Sequence, residues 1–194
     1  MTVVLHACCG PCASACVPRL AASGHEVTML FANSNIDTQE EFDRRKSAAE
    51  TLARADGVRF AALAYDHEEW LREVAAGFEH EPEKGERCAR CFRYNLAKAA
   101  KYAAENGMEA FTTSLTVSPH KSSRVVFDAG RAAAADEGGA AFLEEDFKKK
   151  DGFLLSTERA TRLGLYRQDY CGCEFSRRGR GKGEATSPLR QAAS

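Results

Sequence analysis

Short apolar runs alternate with longer segments of helical periodicity along most of this chain. Thr2 to His6 carries Val-Val-Leu, a β-branched run too short for a helix, and reads as a buried strand. A helix is predicted from about Ala13 to Ala22, closed by Gly24 just past its end. Glu26 to Ala32 is a second strand. The polar stretch Asn33 to Asp37 then leads into a helix capped by Asp37 or Thr38 and running to about Ala55, before Gly57 breaks it. Val58 to Leu63 is a third strand, and His67 to Ala76 is helical, with Trp70, Leu71 and Val74 on one face.

A charged loop covers Phe78 to Arg87. A helix from Cys88 to Asn106 follows, closed by Gly107, and Ala110 to Ser114 is a fourth strand. Ser118 and Pro119 are expected to open the next helix, since proline fits a first turn. Ala140 to Leu143 is a fifth strand and Thr157 to Leu163 a short helix. Strands and helices alternating at this spacing predict a three-layer α/β sandwich with a mainly parallel sheet. Residues 1–176 read as a single catalytic domain. Residues 177–194, rich in Arg, Gly and Ser, read as a basic, disordered tail. Ligands of such sheets bind at the carboxyl ends of the strands. The segments after His6, Ala32 and Ser114 therefore gather on one edge.

A chain of 194 residues suits one domain with its own core. Its 44% hydrophobic and 28% charged residues are ordinary for a soluble globular protein. Eight cysteines, about 4% of the chain, fall below the roughly 8–10% of a secreted disulfide scaffold. The opening residues lack a basic leader and a long apolar run, and no apolar stretch approaches the ~20 residues of a membrane span. A reducing cytoplasm and no membrane are expected, where paired cysteines are more often metal ligands or redox catalysts than staples. The net charge is −1, yet basic runs stand at Arg44-Arg45-Lys46, Lys148-Lys149-Lys150 and Arg177 to Lys182. Each is either a solvated face or a local phosphate contact.

The cysteines fall into three clusters: Cys8, Cys9, Cys12 and Cys16; Cys88 and Cys91; Cys171 and Cys173. Cys88-Ala-Arg-Cys91 opens a helix, a position that favours thiolate and lets both sulfurs reach one metal centre. Two further thiolates from Cys8 and Cys9 could complete a four-sulfur set. Adjacent cysteines are awkward for one tetrahedral zinc but can bind different irons of a cluster. Cys9-Gly-Pro-Cys12 matches the tetrapeptide of thioredoxin-like oxidoreductases, but only one strand precedes it and no tryptophan flanks it. A disulfide between Cys171 and Cys173 would close a small, strained and easily reduced ring, which suits a redox role; the alternative is a pair of reduced thiols. Cys16 reads as a packed residue.

Other polar residues have a bland and a functional reading. Asn33 and Asn35 are turn formers or ligands of a bound group. Thr112, Thr113 and Ser118 are caps or site hydroxyls. His6 is a hydrogen-bonded core histidine or an acid. Lys121 stands near a helix start, where the dipole disfavours a cation, and so suggests an anionic partner.

Six segments in order resemble the epoxyqueuosine reductases of the QueH type, which do not use cobalamin: Leu5-His-Ala-Cys-Cys-Gly-Pro-Cys12, Phe31-Ala-Asn-Ser-Asn-Ile36, Glu41-Phe-Asp-Arg44, Arg87-Cys-Ala-Arg-Cys-Phe92, Phe111-Thr-Thr-Ser-Leu115 with Ser118-Pro-His-Lys121, and Tyr166-Arg-Gln-Asp-Tyr-Cys-Gly-Cys173. The chain departs from the family at Asn95, where arginine is usual, and at Ser34, where proline is usual. The resemblance implies a nucleotide-hydrolase-like (HUP/Rossmann-like) fold. It implies reductive deoxygenation of epoxyqueuosine to queuosine at the wobble position of tRNA. It further implies a 4Fe–4S cluster on Cys8, Cys9, Cys88 and Cys91, an adjacent mononuclear iron or zinc with Cys12 as a ligand, and a redox-active pair in Cys171 and Cys173. The reaction needs a proton donor, for which Tyr170, Asp37 and His6 are candidates. It also needs a one-electron donor such as a ferredoxin or flavodoxin. Asn33, Asn35, Arg44, Thr112, Thr113, Ser118, Lys121, Tyr166 and Gln168 are candidates for binding tRNA and its modified base. Two other classes remain: a zinc- or cluster-binding RNA module without catalysis, and a thiol-disulfide oxidoreductase.

Overall fold

A computed structural model describes residues 1–178; residues 179–194, most of the expected tail, lie outside the described residues. Five parallel strands, β1 (Thr2–His6), β2 (Glu26–Phe31), β3 (Arg59–Ala62), β4 (Ala110–Thr113) and β5 (Ala141–Phe142), form one sheet in the order β3-β2-β1-β4-β5. Leu5 stands between Met29 on β2 and Thr112 on β4. The chain builds the sheet outward from β1 in one direction, then returns to β1's other side with β4. The carboxyl ends of β1 and β4 thus flank the switch point where α/β sheets form their binding crevices.

Alternation along the strands splits the core into two layers, because successive side chains point to opposite faces. Leu5, Met29 and Phe31 pack with α1 (Gly10–Ala22), α2 (Gln39–Asp56) and α6 (Gly152–Arg162). Val4, Leu30 and Phe111 pack with α4 (Glu86–Glu105) and α5 (Ser123–Glu137). A third, smaller cluster joins Trp70 and Val74 to Cys91 and Cys173. It is built by α3 (His67–Trp70), the π-helical turn Leu71–Ala75 that continues it, and α7 (Glu174–Arg178).

The α/β sandwich and its parallel sheet agree with the sequence reading, and among the boundaries that differ four bear on the site or the tail. First, α1 begins at Gly10 rather than Ala13, because Cys9 caps it and Pro11 fits its first turn. Second, residues 114–117 form a 3-10 turn and Lys121 N–H closes on Ser118 O, so Ser118 and Pro119 lie in a turn. The helix expected there starts at Ser123. Third, α6 starts at Gly152, five residues' distance from the expected Thr157. Fourth, Arg177 and Arg178, expected in the tail, belong to α7. Among the described residues no helix is long and apolar enough to cross a membrane.

Candidate metal and redox site

The loop from β1 into α1 carries the first thiols. Cys9 has an extended backbone (φ −170°), and its Sγ accepts the Cys12 backbone N–H at 3.3 Å. The sulfur thus does the work of an N-cap oxygen. A Cβ on Gly10 would lie 2.7 Å from Ala48 O, so only glycine lets α1 begin against α2. The sequence Cys-Gly-Pro-Cys therefore has a structural logic here: cap, close approach, first-turn proline and inward thiol. The sulfurs of Cys8, Cys9 and Cys12 lie within 4.8 Å of one another. Cys8 is tied to the end of β4, donating its N–H to Ser114 Oγ at 3.0 Å while that hydroxyl lies 3.3 Å from Cys8 Sγ.

Charge in this triad is unevenly divided. Hydrogen bonds from Cys12 and Cys8 hold the Cys9 thiol well below its ordinary pKa. Hydrogen bonds with Cys8 and Cys9, then burial, push Cys12 well above it. Three neighbouring thiolates cannot coexist without a cation among them. Lys121 supplies one positive charge. Burial opposes its protonation, but the sulfurs of Cys171, Cys8, Cys12 and Cys9 outweigh burial and raise its pKa.

On the opposite side, Cys88 and Cys91 stand in the first turns of α4. The Lys84 N–H donates to Cys88 Sγ at 3.3 Å, and Asn95 Nδ2 lies 3.6 Å from Cys91 Sγ. Burial raises the pKa of both thiols, and for Cys91 the nearby sulfurs of Cys171 and Cys173 add to it. Arg87, 2% exposed, donates from Nη1 to Phe78 O and Glu81 O, both at 2.7 Å, and so fastens the charged loop before the helix.

A cavity of about 450 Å³ lies between these walls, lined by Cys8, Cys9, Cys12, Cys91 and Cys171. Two smaller cavities adjoin it, one lined by Cys88 and Cys171, the other by Cys88, Cys91, Cys171 and Cys173. Every cysteine except Cys16 lines at least one. Cys16 is fully buried in the core beneath α1. Cys171 and Cys173 are free thiols.

The remaining expected residues separate into two groups. Asn33, Asn35, Ser118, Lys121, Gln168 and Tyr170 line the large cavity. Asn33 Nδ2 holds Ala7 O at 2.9 Å, and Asn35 Oδ1 accepts Asn95 Nδ2 at 3.0 Å. The second group stands behind or outside it. His6 is fully buried, with Nδ1 2.9 Å from Thr113 Oγ1 and Nε2 3.3 Å from Ala32 O, and burial lowers its pKa. Thr112 donates to Leu143 O at 2.8 Å. Asp37 accepts from the Tyr170 hydroxyl at 2.7 Å and pairs with Arg177 at 3.1 Å. Tyr166 donates to Glu41 at 2.8 Å, and Arg44 lies over its ring on the outer face.

Sequence reasoning assigned no site role to Ser114, Asn95 or Arg45, although Ser114 lies in a family motif and Asn95 stands out as a departure from it. Arg45 was expected in a solvated or phosphate-binding run, yet it is 1% exposed. Its Nε pairs with Glu41 at 2.7 Å and its Nη1 donates to Cys171 O at 2.8 Å. The signal was faint: Glu41 and Arg45 at i,i+4, with apolar Phe42 and Ala49 on the same side.

The family model of Epoxyqueuosine reductase QueH matches residues 3–179. Proteins called epoxyqueuosine reductase QueH from Streptococcus pyogenes serotype M1 and Acinetobacter baylyi are each 35% identical to this chain. Those matches cover 90% and 91% of it, and 70% and 80% of the relatives. The protein of that name from Thermotoga maritima is 29% identical over 90% of both chains. Among solved structures, a predicted subunit of tRNA methyltransferase from Methanocaldococcus jannaschii superposes with a TM-score of 0.55 at 15% identity. That superposition covers 81% of this chain and 76% of the other, and it shows a shared α/β fold. With the family model spanning almost all of the folded part and relatives above 30% identity, the chain belongs to the QueH epoxyqueuosine reductase family.

Proposed function

We propose that this protein is an epoxyqueuosine reductase, converting epoxyqueuosine to queuosine at the wobble position of tRNA. The observation that carries the reading is the convergence of Cys8, Cys9 and Cys12 with Cys91 and Cys171 on one cavity, within a chain of this family. Removal of the epoxide oxygen consumes two electrons and two protons. Both C–O bonds break, a C=C bond forms and water leaves. An external one-electron carrier, a ferredoxin or flavodoxin, supplies the electrons.

The donor set fits an iron–sulfur group. Soft thiolates favour iron–sulfur clusters or zinc, and the crowded triad needs a cation to ionise fully. Cys8, Cys9, Cys88 and Cys91 would hold a 4Fe–4S cluster, with Cys12 toward a neighbouring iron or zinc. When bound, the cluster would relay single electrons and the neighbouring metal would provide Lewis acidity. Lys121 offsets thiolate charge, and Asn33, Asn35 and Gln168 orient the base in the cavity. Tyr170 is the proton donor supported best. It lines the cavity and its hydroxyl donates to Asp37; burial, then that carboxylate, raises its pKa to about 12, a weak acid suited only to protonating the far more basic alkoxide of the opened epoxide. Cys171 and Cys173 act as a redox pair beside the cavity. Cytoplasmic tRNA is the expected partner.

Anaerobic purification tests the reading. The account expects brown protein with iron and acid-labile sulfide, and loss of both absorbance and activity in Cys88→Ser. Colourless protein with stoichiometric zinc would support the RNA-module alternative. Turnover of a dithiol by metal-free protein would support the thiol-disulfide alternative.

A further inference from the structure

The segment that opens α6 is built at a conformational cost and ends on exposed apolar residues. Lys150 and Asp151 both adopt left-handed backbone, with φ of 57° and 58°. A Cβ on Gly152 would lie 1.6 Å from Phe147 O, so only glycine closes the turn. The turn delivers Phe153, Leu154 and Leu155 to the surface at 40%, 55% and 48% exposure. Phe153 also lines the cysteine cavity, and the Arg167 guanidinium, another lining group, stands 5.5 Å from its ring centroid. Lys149 and Lys150 are exposed directly before the turn.

We propose that Phe153 and Arg167 form a stacking platform at the mouth of the cavity that receives an unpaired nucleobase next to the nucleotide being reduced. This rests on the reading above that the substrate is tRNA. An aromatic face paired with a guanidinium plane is what proteins offer to unstacked RNA bases, because every base has a π-face. The exposed lysines supply the positive charge that a flanking phosphate requires. The platform adjoins the cavity, so a base stacked there leaves its neighbour free to enter.

The test measures binding of an anticodon stem-loop RNA to metal-loaded protein. Phe153→Ala is expected to raise Kd about 5- to 150-fold, the range for losing one stacked base. Its folding should match wild type, since the side chain is exposed. Phe153→Trp should restore affinity. Unchanged affinity in Phe153→Ala, or no rescue by tryptophan, overturns the proposal. Normal RNA affinity with a lost response to reduced flavodoxin would assign the face to the electron donor, and also overturns it. Wild-type protein that binds the RNA through Phe153 yet leaves epoxyqueuosine intact would instead refute the reductase reading while the platform stands.

Discussion

Arg45 of α2 donates from Nη1 to the carbonyl oxygen of Cys171 at 2.8 Å, joining positions 126 residues apart. A second bond reaches Tyr170 O at 3.4 Å, and the Asp37 N–H holds Gly172 O at 3.0 Å. The Cys171-Gly172-Cys173 turn is thus fastened to α2 through its own backbone. Arg45→Met leaves Glu41 buried without its cation and should cost about 3–5 kcal/mol, the usual loss when one member of a buried pair is removed. Denaturant unfolding measures it. Adding Glu41→Gln should recover part of the loss, and an additive double mutant would contradict the coupling.

Gly10 is the second fixed point of the site. Gly10→Ala brings a methyl group against the Ala48 carbonyl and must push the start of α1 from α2. A stability loss of about 1–3 kcal/mol is expected from such overpacking. Bound iron per chain should fall with it, because Cys9 and Cys12 move with the helix.

Cysteine replacements should separate by position. Cys12→Ser is expected to change the metal content, since its sulfur lies within 4.8 Å of Cys8 and Cys9. Cys16→Ser should leave iron and sulfide at wild-type levels and lower only stability, because that thiol is buried in the core. Iron and sulfide analysis of the two variants distinguishes these outcomes.

Four tyrosines give an alkaline signature, since burial raises Tyr65, Tyr94, Tyr166 and Tyr170. Burial, then the Asp37 and Glu174 charges, raise Tyr65 from 10 to about 12, and burial with Asp37 does the same for Tyr170. Above pH ~10 the unfolded chain loses these protons while the folded protein keeps them, so ionisation favours unfolding. Stability should hold up to pH ~10 and fall as the pH rises toward 12. Tyr65→Phe should make that decline shallower in a series of unfolding curves.

Much of the fold was legible because its signals are local. Val3 to Leu5, Val27 to Phe31 and Ala110 to Thr113 form strands where apolar runs stand between helical segments. The alternating order of elements carried the parallel sheet. What escaped depends on tertiary contacts. Arg45 stands in a basic run that reads as surface, and only its packing against the turn at Cys171 makes it a core residue. Ser118 and Pro119 have the composition of a helix start, but the 3-10 turn before them places that start at Ser123. In the site, spacing identified the cysteine pairs. It could not show that Cys91 and Cys171 join Cys8, Cys9 and Cys12 around one cavity while Cys88 lines the neighbouring ones, because that arrangement is set by tertiary packing of the three segments.

The most direct test is nucleoside analysis of epoxyqueuosine-containing tRNA after incubation with anaerobically reconstituted protein and a one-electron reductant. The account predicts stoichiometric loss of epoxyqueuosine and appearance of queuosine, abolished in Cys88→Ser. Unchanged epoxyqueuosine in the presence of fully iron-loaded, reduced protein would contradict it.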